Sequence, residues 1–129
     1  AEKNKNILPN NGRLSFKLAD FSKFKTREFD VIVCNPPYVN KNDIHIMQKD
    51  ITSYEPHQAI FADEEGFIHY KSVIHNLNNN YRSGQKVLFE IGLGQVNVVS
   101  NLLKTNDFKL IHVKEDISGI PRCIVAEKI

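Results

Sequence analysis

The 129-residue chain predicts an α/β fold, a mainly parallel sheet covered by helices on both sides. Two observations carry this expectation. Short apolar runs such as Val31-Ile32-Val33 and Val87-Leu88-Phe89 have the length of strands buried on both faces. Segments with apolar residues at helical spacing separate them. In such sheets ligands bind beyond the carboxyl ends of the strands, so the residues that follow a strand are the first place to seek a site.

Taken in order, residues 1–8 read as the last turns of a helix, stopped by Pro9, Asn10, Asn11 and Gly12. Residues 13–18 alternate, with Leu14, Phe16 and Leu18 on one face, and read as a strand that ends at Asp20. Residues 29–34 read as a strand buried on both faces. Asn35-Pro36-Pro37 must end it, because consecutive prolines cannot donate ladder hydrogen bonds. Residues 40–57 are polar and irregular, with one helical turn expected around Ile44 to Met47. Phe67, Tyr70, Ile74 and Leu77 then fall at helical spacing, with Val73 beside them. Asn78-Asn79-Asn80 and Ser83-Gly84 make a turn. Residues 86–91 form a second buried strand, and residues 95–103 a helix with Val99, Leu102 and Leu103 facing inward. Residues 108–113 and 122–126 are the last two strands, joined through Ser118-Gly119 and Pro121. No repeat or low-complexity linker interrupts the pattern, so residues 1–129 read as part of one domain.

Composition narrows the function classes. A hydrophobic content of 41% with 25% charged residues is ordinary for a soluble globular protein. The net charge of +2 supplies little phosphate affinity, so a nucleic-acid role needs a local basic patch. The early basic residues (Lys3, Lys5, Arg13, Lys17, Lys23, Lys25) are interleaved with acids and apolar residues and read as solvated faces. Cys34 and Cys123 stand far apart, outside any CxxC pattern. They suggest neither a zinc site nor a disulfide framework and fit a reducing compartment. Cys34, inside an apolar run, reads as a small buried filler. The five histidines show no metal-binding spacing. No apolar stretch is long enough to span a membrane, and no signal peptide is visible. The chain opens on Ala1 in mid-pattern, as expected of a fragment or a processed piece.

Asn35-Pro36-Pro37-Tyr38 is the string with chemistry in it. An amide or exocyclic amine nitrogen is a poor nucleophile because its lone pair is delocalised. To attack a methyl sulfonium it needs acceptors that hold both N–H groups and favour a pyramidal nitrogen. The Asn35 side-chain oxygen and the Pro36 carbonyl can supply both. Pro36 and Pro37 stiffen the loop, so little entropy is lost on binding. Tyr38 offers a flat face against which a planar amide or base can stack. The bland alternative is a turn that merely ends the strand. Its position directly after a buried strand favours the functional reading.

At these residues the chain resembles a known family. Phe29-Asp30-Val31-Ile32-Val33-Cys34-Asn35-Pro36-Pro37-Tyr38-Val39 is similar to the signature of the release-factor glutamine N5-methyltransferases of HemK/PrmC type. Four further stretches resemble the same family in the same order. They are Tyr54-Glu55-Pro56 with Ala59, Glu65-Gly66-Phe67 before a helix, Phe89-Glu90-Ile91-Gly92 with Gln95, and Asp116-Ile117-Ser118-Gly119 with Arg122. The tetrapeptide alone is shared with adenine-N6 and cytosine-N4 DNA methyltransferases, whereas the ordered set is more specific. The resemblance implies S-adenosylmethionine as cofactor and a peptide-chain release factor as partner. Methyl would go to the glutamine amide nitrogen of that factor's Gly-Gly-Gln loop. It further implies that Asn35 and Pro36 are catalytic, that Asn35, Pro36, Pro37 and Tyr38 bind substrate, and that Asp20 and Asn35 contact the cofactor, Asp20 near the adenine amino group. A solvated turn or a helix N-cap is the other use of Asp20. Glu55-Pro56 and Glu90 would be architectural, and Arg122 carries no assigned catalytic role.

The fold so implied is a Rossmann-like class I methyltransferase sheet, of which the chain holds the equivalents of strands 3 to 7, the last antiparallel. Four of these can form a contiguous 4-5-7-6 sheet, but residues 13–18 are left without their neighbours. The family's Gly-rich cofactor loop and its ribose-binding acid would lie upstream, so a missing N-terminal half is implied. Residues 87–94 also resemble a cofactor loop after a strand, with Glu115 as a later acid; that permuted arrangement leaves too few strands to complete a sheet, and Gln95 stands where a small residue is expected. The rival functions are a nucleic-acid adenine methyltransferase, for which no basic, aromatic-bearing cluster is seen, and a non-catalytic fragment of the fold. A bacterial cytoplasm or an organelle matrix follows from the resemblance, with no membrane and no direct nucleic-acid substrate expected.

Overall fold

The computed structural model describes residues 14–37 and 66–129. Four strands form one sheet: β1 (Val31–Cys34), β2 (Lys86–Glu90), β3 (Phe108–Glu115) and β4 (Pro121–Lys128). Two helices, α1 (Ile68–Asn79) and α2 (Val96–Lys104), and a 3-10 turn over Phe21–Lys23 complete the described elements. The expected residues 1–8 helix, the turn around Ile44 to Met47, and Tyr38, Glu55 and Pro56 lie outside the described residues.

The strand order is β1-β2-β4-β3. β1 and β2 are parallel, while β4 runs antiparallel to both β2 and β3. Three strands therefore share one direction and the last in sequence is inserted against them, which is the 4-5-7-6 arrangement expected. A short turn forces the reversal, since only antiparallel neighbours can be joined tightly. In that turn one Asp116 carboxylate oxygen accepts the N–H groups of Ser118 at 2.8 Å and Ile120 at 3.0 Å, and Gly119 takes the positive φ of 75°.

The core lies on one face of the sheet. Alternation sends Val87 and Phe89 of β2 and Ile124 and Ala126 of β4 to the same side as Ile32. Tyr70, Val73, Ile74 and Leu77 of α1 and Val99 and Leu103 of α2 pack on that side. Both helices thus cover one face among the described residues. The expectation of a β1 buried on both faces is corrected: Val31 is 50% and Val33 76% exposed on the opposite side. The apolar run alone did not separate a strand covered on both faces from one that, among the described residues, is covered on one.

Residues 14–18 are a second correction, for they form no strand and Leu18 is fully exposed. Alternating side chains do not make a strand unless a neighbour accepts the ladder hydrogen bonds. β1 pairs only with β2 among the described residues, and the 14–18 segment does not pair with the other edge of β1. Buried polar side chains hold the following stretch instead. Asn76 Nδ2 donates to the carbonyls of Phe21 at 2.6 Å and Phe24 at 3.0 Å. Gln85 Nε2 donates to Thr26 and Phe29, each at 2.7 Å, and Thr26 Oγ1 donates to the Asn80 carbonyl at 3.0 Å. These bonds fix the entry into β1.

Candidate active site

β1 delivers Asn35 to the carboxyl end of the sheet. Asn35 continues the alternation of Val31 and Val33 and is exposed, whereas Pro36 is buried and Pro37 half-buried. A buried proline after an exposed amide anchors the loop and leaves the Asn35 side chain outward. Tyr38 lies outside the described residues. Asp20 is exposed at the mouth of the 3-10 turn, where its carbonyl accepts the Lys23 N–H at 3.1 Å.

Asn35 lines a cavity of about 530 Å³ with Val33 and Cys34 from β1, Leu88 and Glu90 from β2, Arg122 and Cys123 from β4, and Asp116. Asp20 is not among its walls. The floor is apolar, and the rim carries one amide, two carboxylates and one guanidinium. Sheet register explains the grouping. Glu90 faces Cys123 across the β2–β4 pair, and the Ile91 N–H donates to the Arg122 carbonyl at 2.9 Å. Arg122 Nε in turn donates to Asp116 Oδ2 at 3.2 Å. Sequence reasoning left Arg122 and Asp116 without a role in the site; their sequence signal is the Asp116-Ile117-Ser118-Gly119 stretch with Arg122, which only the β3–β4 turn folds beside Asn35.

Electrostatics remove thiol chemistry from the cavity. Burial pushes the Cys34 thiol up to about 11, and burial together with the Glu90 charge raises that of Cys123. Both are protonated at neutral pH and are poor nucleophiles. Asp116 moves the other way: the Ile120 N–H, then the Ser118 N–H and Arg122, hold its carboxyl below the usual carboxylate range. It is an anion whenever Arg122 needs a partner.

The Gly92-Leu93-Gly94 turn that resembled a cofactor loop is closed on itself. Gln95 Oε1 accepts the Gly92 N–H at 2.9 Å, and the Tyr70 hydroxyl lies 3.2 Å from that oxygen and 2.9 Å from the Glu90 carbonyl. Gly92 and Gln95 are buried. The Gly92 N–H is thereby bonded within the turn, which holds the end of β2. Among the described residues, no helix is long and apolar enough to cross a membrane, and no three His, Cys, Asp or Glu side chains gather as metal ligands.

No family model matches the chain. It is 35% identical over 108 residues to a release factor glutamine methyltransferase of Thermodesulfovibrio yellowstonii, covering 84% of this chain and 39% of that protein. A release factor glutamine methyltransferase of Staphylococcus aureus is 37% identical over 95 residues, 72% of this chain and 34% of that one. A bifunctional methyltransferase of Rickettsia typhi is 31% identical over 104 residues, 81% of this chain and 20% of the relative. Among solved structures, TrmN from Thermus thermophilus superposes with a TM-score of 0.52 at 22% identity, over 86% of this chain and 27% of that one. The last likeness shows the fold, a partial Rossmann-like methyltransferase sheet. The resemblance read from the sequence is borne out, and the chain spans little more than a third of the first two curated relatives.

Proposed function

We propose that the protein carrying this chain transfers the methyl group of S-adenosylmethionine to the side-chain amide nitrogen of the glutamine in the Gly-Gly-Gln loop of a peptide-chain release factor. The observation that carries the reading is Asn35, exposed at the carboxyl end of β1 in a cavity, behind a buried Pro36, in a chain alike to release factor glutamine methyltransferases. The cofactor supplies an electrophilic methyl on sulfonium sulfur. Asn35 Oδ1 and the Pro36 carbonyl accept the two amide N–H groups and aim the nitrogen lone pair at that methyl. The transfer would leave the cofactor as its thioether, and the surplus N–H proton of the amide would pass to solvent. Pro37 keeps the carbonyl aimed. The test offers radiolabelled cofactor with purified release factor, duplex DNA and tRNA side by side. Label in the release factor that vanishes when its Gly-Gly-Gln glutamine is changed is the expected result. Label mainly in either nucleic acid overturns the reading in favour of adenine methylation.

The chain's own donors fit the cofactor in part. An exposed Asp20 carboxylate would suit the adenine amino group and an exposed Asn35 the transferred methyl, and among the described residues no further group is assigned to the ribose or the carboxypropyl group. The cofactor loop is proposed to belong to sequence outside the described residues, among which β1 pairs only with β2. The isolated chain is expected to bind S-adenosylmethionine with a dissociation constant weaker than about 10 μM, roughly −7 kcal/mol. Titration calorimetry showing tighter binding would count against the split and revive a complete site within these residues.

A further inference from the structure

Ile117 is fully exposed at the tip of the β3–β4 turn, a position whose geometry makes no demand for an apolar side chain. The turn is fixed from within. Asp116 Oδ1 accepts two backbone N–H groups, the Gly119 N–H donates to the Asp116 carbonyl at 3.0 Å, and the Asp116 N–H donates to the Ile120 carbonyl at 2.8 Å. Arg122 Nε braces the same carboxylate at 3.2 Å. Leu93 repeats the arrangement. It is 74% exposed between Gly92 and Gly94, in a turn closed by the Gln95 N–H on the Gly92 carbonyl at 3.2 Å and by the Gly92 N–H on Gln95 Oε1. Both large aliphatic side chains are carried on backbone that is already ordered, and neither belongs to the core. Held so, each can be buried by a partner at little cost in conformational entropy.

The two tips stand together at the end of the sheet where β1 delivers Asn35. The Ile91 N–H donates to the Arg122 carbonyl at 2.9 Å, which joins the end of β2 to the start of β4, so the turns leave adjacent strands. Glu90, shortly before Leu93, and Asp116, directly before Ile117, line the same cavity as Asn35. From this placement we infer that Ile117 and Leu93 dock the substrate protein, seating in an apolar surface of the release factor beside its Gly-Gly-Gln loop while the glutamine reaches Asn35. The inference rests on the methylation reading above and adds the surface that holds the body of the substrate. The cavity wall carries Glu90 and Asp116 against Arg122, a net negative balance that disfavours phosphate. It therefore selects a protein as the occupant rather than a nucleic acid or an anionic membrane.

The test measures steady-state methylation of release factor by the full-length protein carrying this chain. Ile117→Ser and Leu93→Ser are each expected to raise KM for release factor about 10-fold or more, the worth of burying one large aliphatic side chain, with kcat within about 3-fold. Thermal midpoint and cofactor affinity should stay unchanged, because neither side chain packs in the core. Ile117→Val and Leu93→Met should recover most of the loss. Serine suits a turn, and the two tips are tested separately, so either carries the test if the other variant fails to fold. An unchanged KM overturns the inference. A lowered thermal midpoint in both variants shows tips buried within the whole protein and overturns it too, as does a wild-type dimer that the variants dissociate. Wild-type protein that labels no release factor overturns the methylation reading as well, whereas active wild type with indifferent variants removes only this assignment.

Discussion

Asn35→Ala in the full-length protein carrying this chain is expected to lower turnover about 10²-fold or more while leaving cofactor affinity nearly unchanged, because one preorganised acceptor at the reacting nitrogen is lost. The fold should survive, since the Asn35 side chain is exposed and Pro36, not Asn35, is the buried residue of the loop. Single-turnover kinetics with release factor in excess isolates the chemical step. Turnover close to wild type would show that Asn35 only ends β1. Tyr38→Phe supplies the contrast: the substitution keeps an aromatic face and removes only the hydroxyl, so under the proposed reaction its effect should be mild.

The reach of the sequence is clearest where structure came from local pattern. The α1 residues at helical spacing became the buried stripe Tyr70, Val73, Ile74 and Leu77, and β2 and β4 sent alternate residues to the core. Proline chemistry placed the end of β1 at Cys34 without help from any neighbour. What pattern could not supply was partnership. Residues 14–18 alternate as well as β4 does, yet they form no strand because nothing described pairs with them. Arg122 carried no assigned role in the sequence because its neighbours, Asp116 across a turn and Asn35 two strands away, are brought together only by the fold. The Asn35-Pro36-Pro37 turn is legible in the sequence, whereas the cavity beside it is assembled from β1, β2, β4 and the turn before β4.

Lys128 is a further residue whose role only the fold reveals, and Lys128→Met is expected to destabilise the protein by about 2–3 kcal/mol. Alternation carries β4 inward through Ile124, Ala126 and then Lys128, whose side chain is only 2% exposed. Its Nζ donates to Asn78 Oδ1 and to the Asn106 carbonyl, each at 2.7 Å, and lies over the rings of Tyr81 at 4.5 Å and Phe108 at 4.9 Å. A buried ammonium is tolerated only with such partners, and here they tie the ends of α1 and α2 to the last strand. Met keeps the stem but strands two acceptors and removes the charge from between the rings. The carboxylate of Asp107, 3.7 Å away, is 80% exposed, so Asp107→Asn should change stability by less than about 1 kcal/mol. Urea unfolding decides it: a lower midpoint at unchanged slope for Lys128→Met, and near coincidence with wild type for Asp107→Asn, is the expected pair. Because β4 begins beside Asn35 and ends at Lys128, the variant should keep its methylation rate at temperatures where it remains folded. A loss of turnover without loss of stability would instead tie the far end of the sheet to the site.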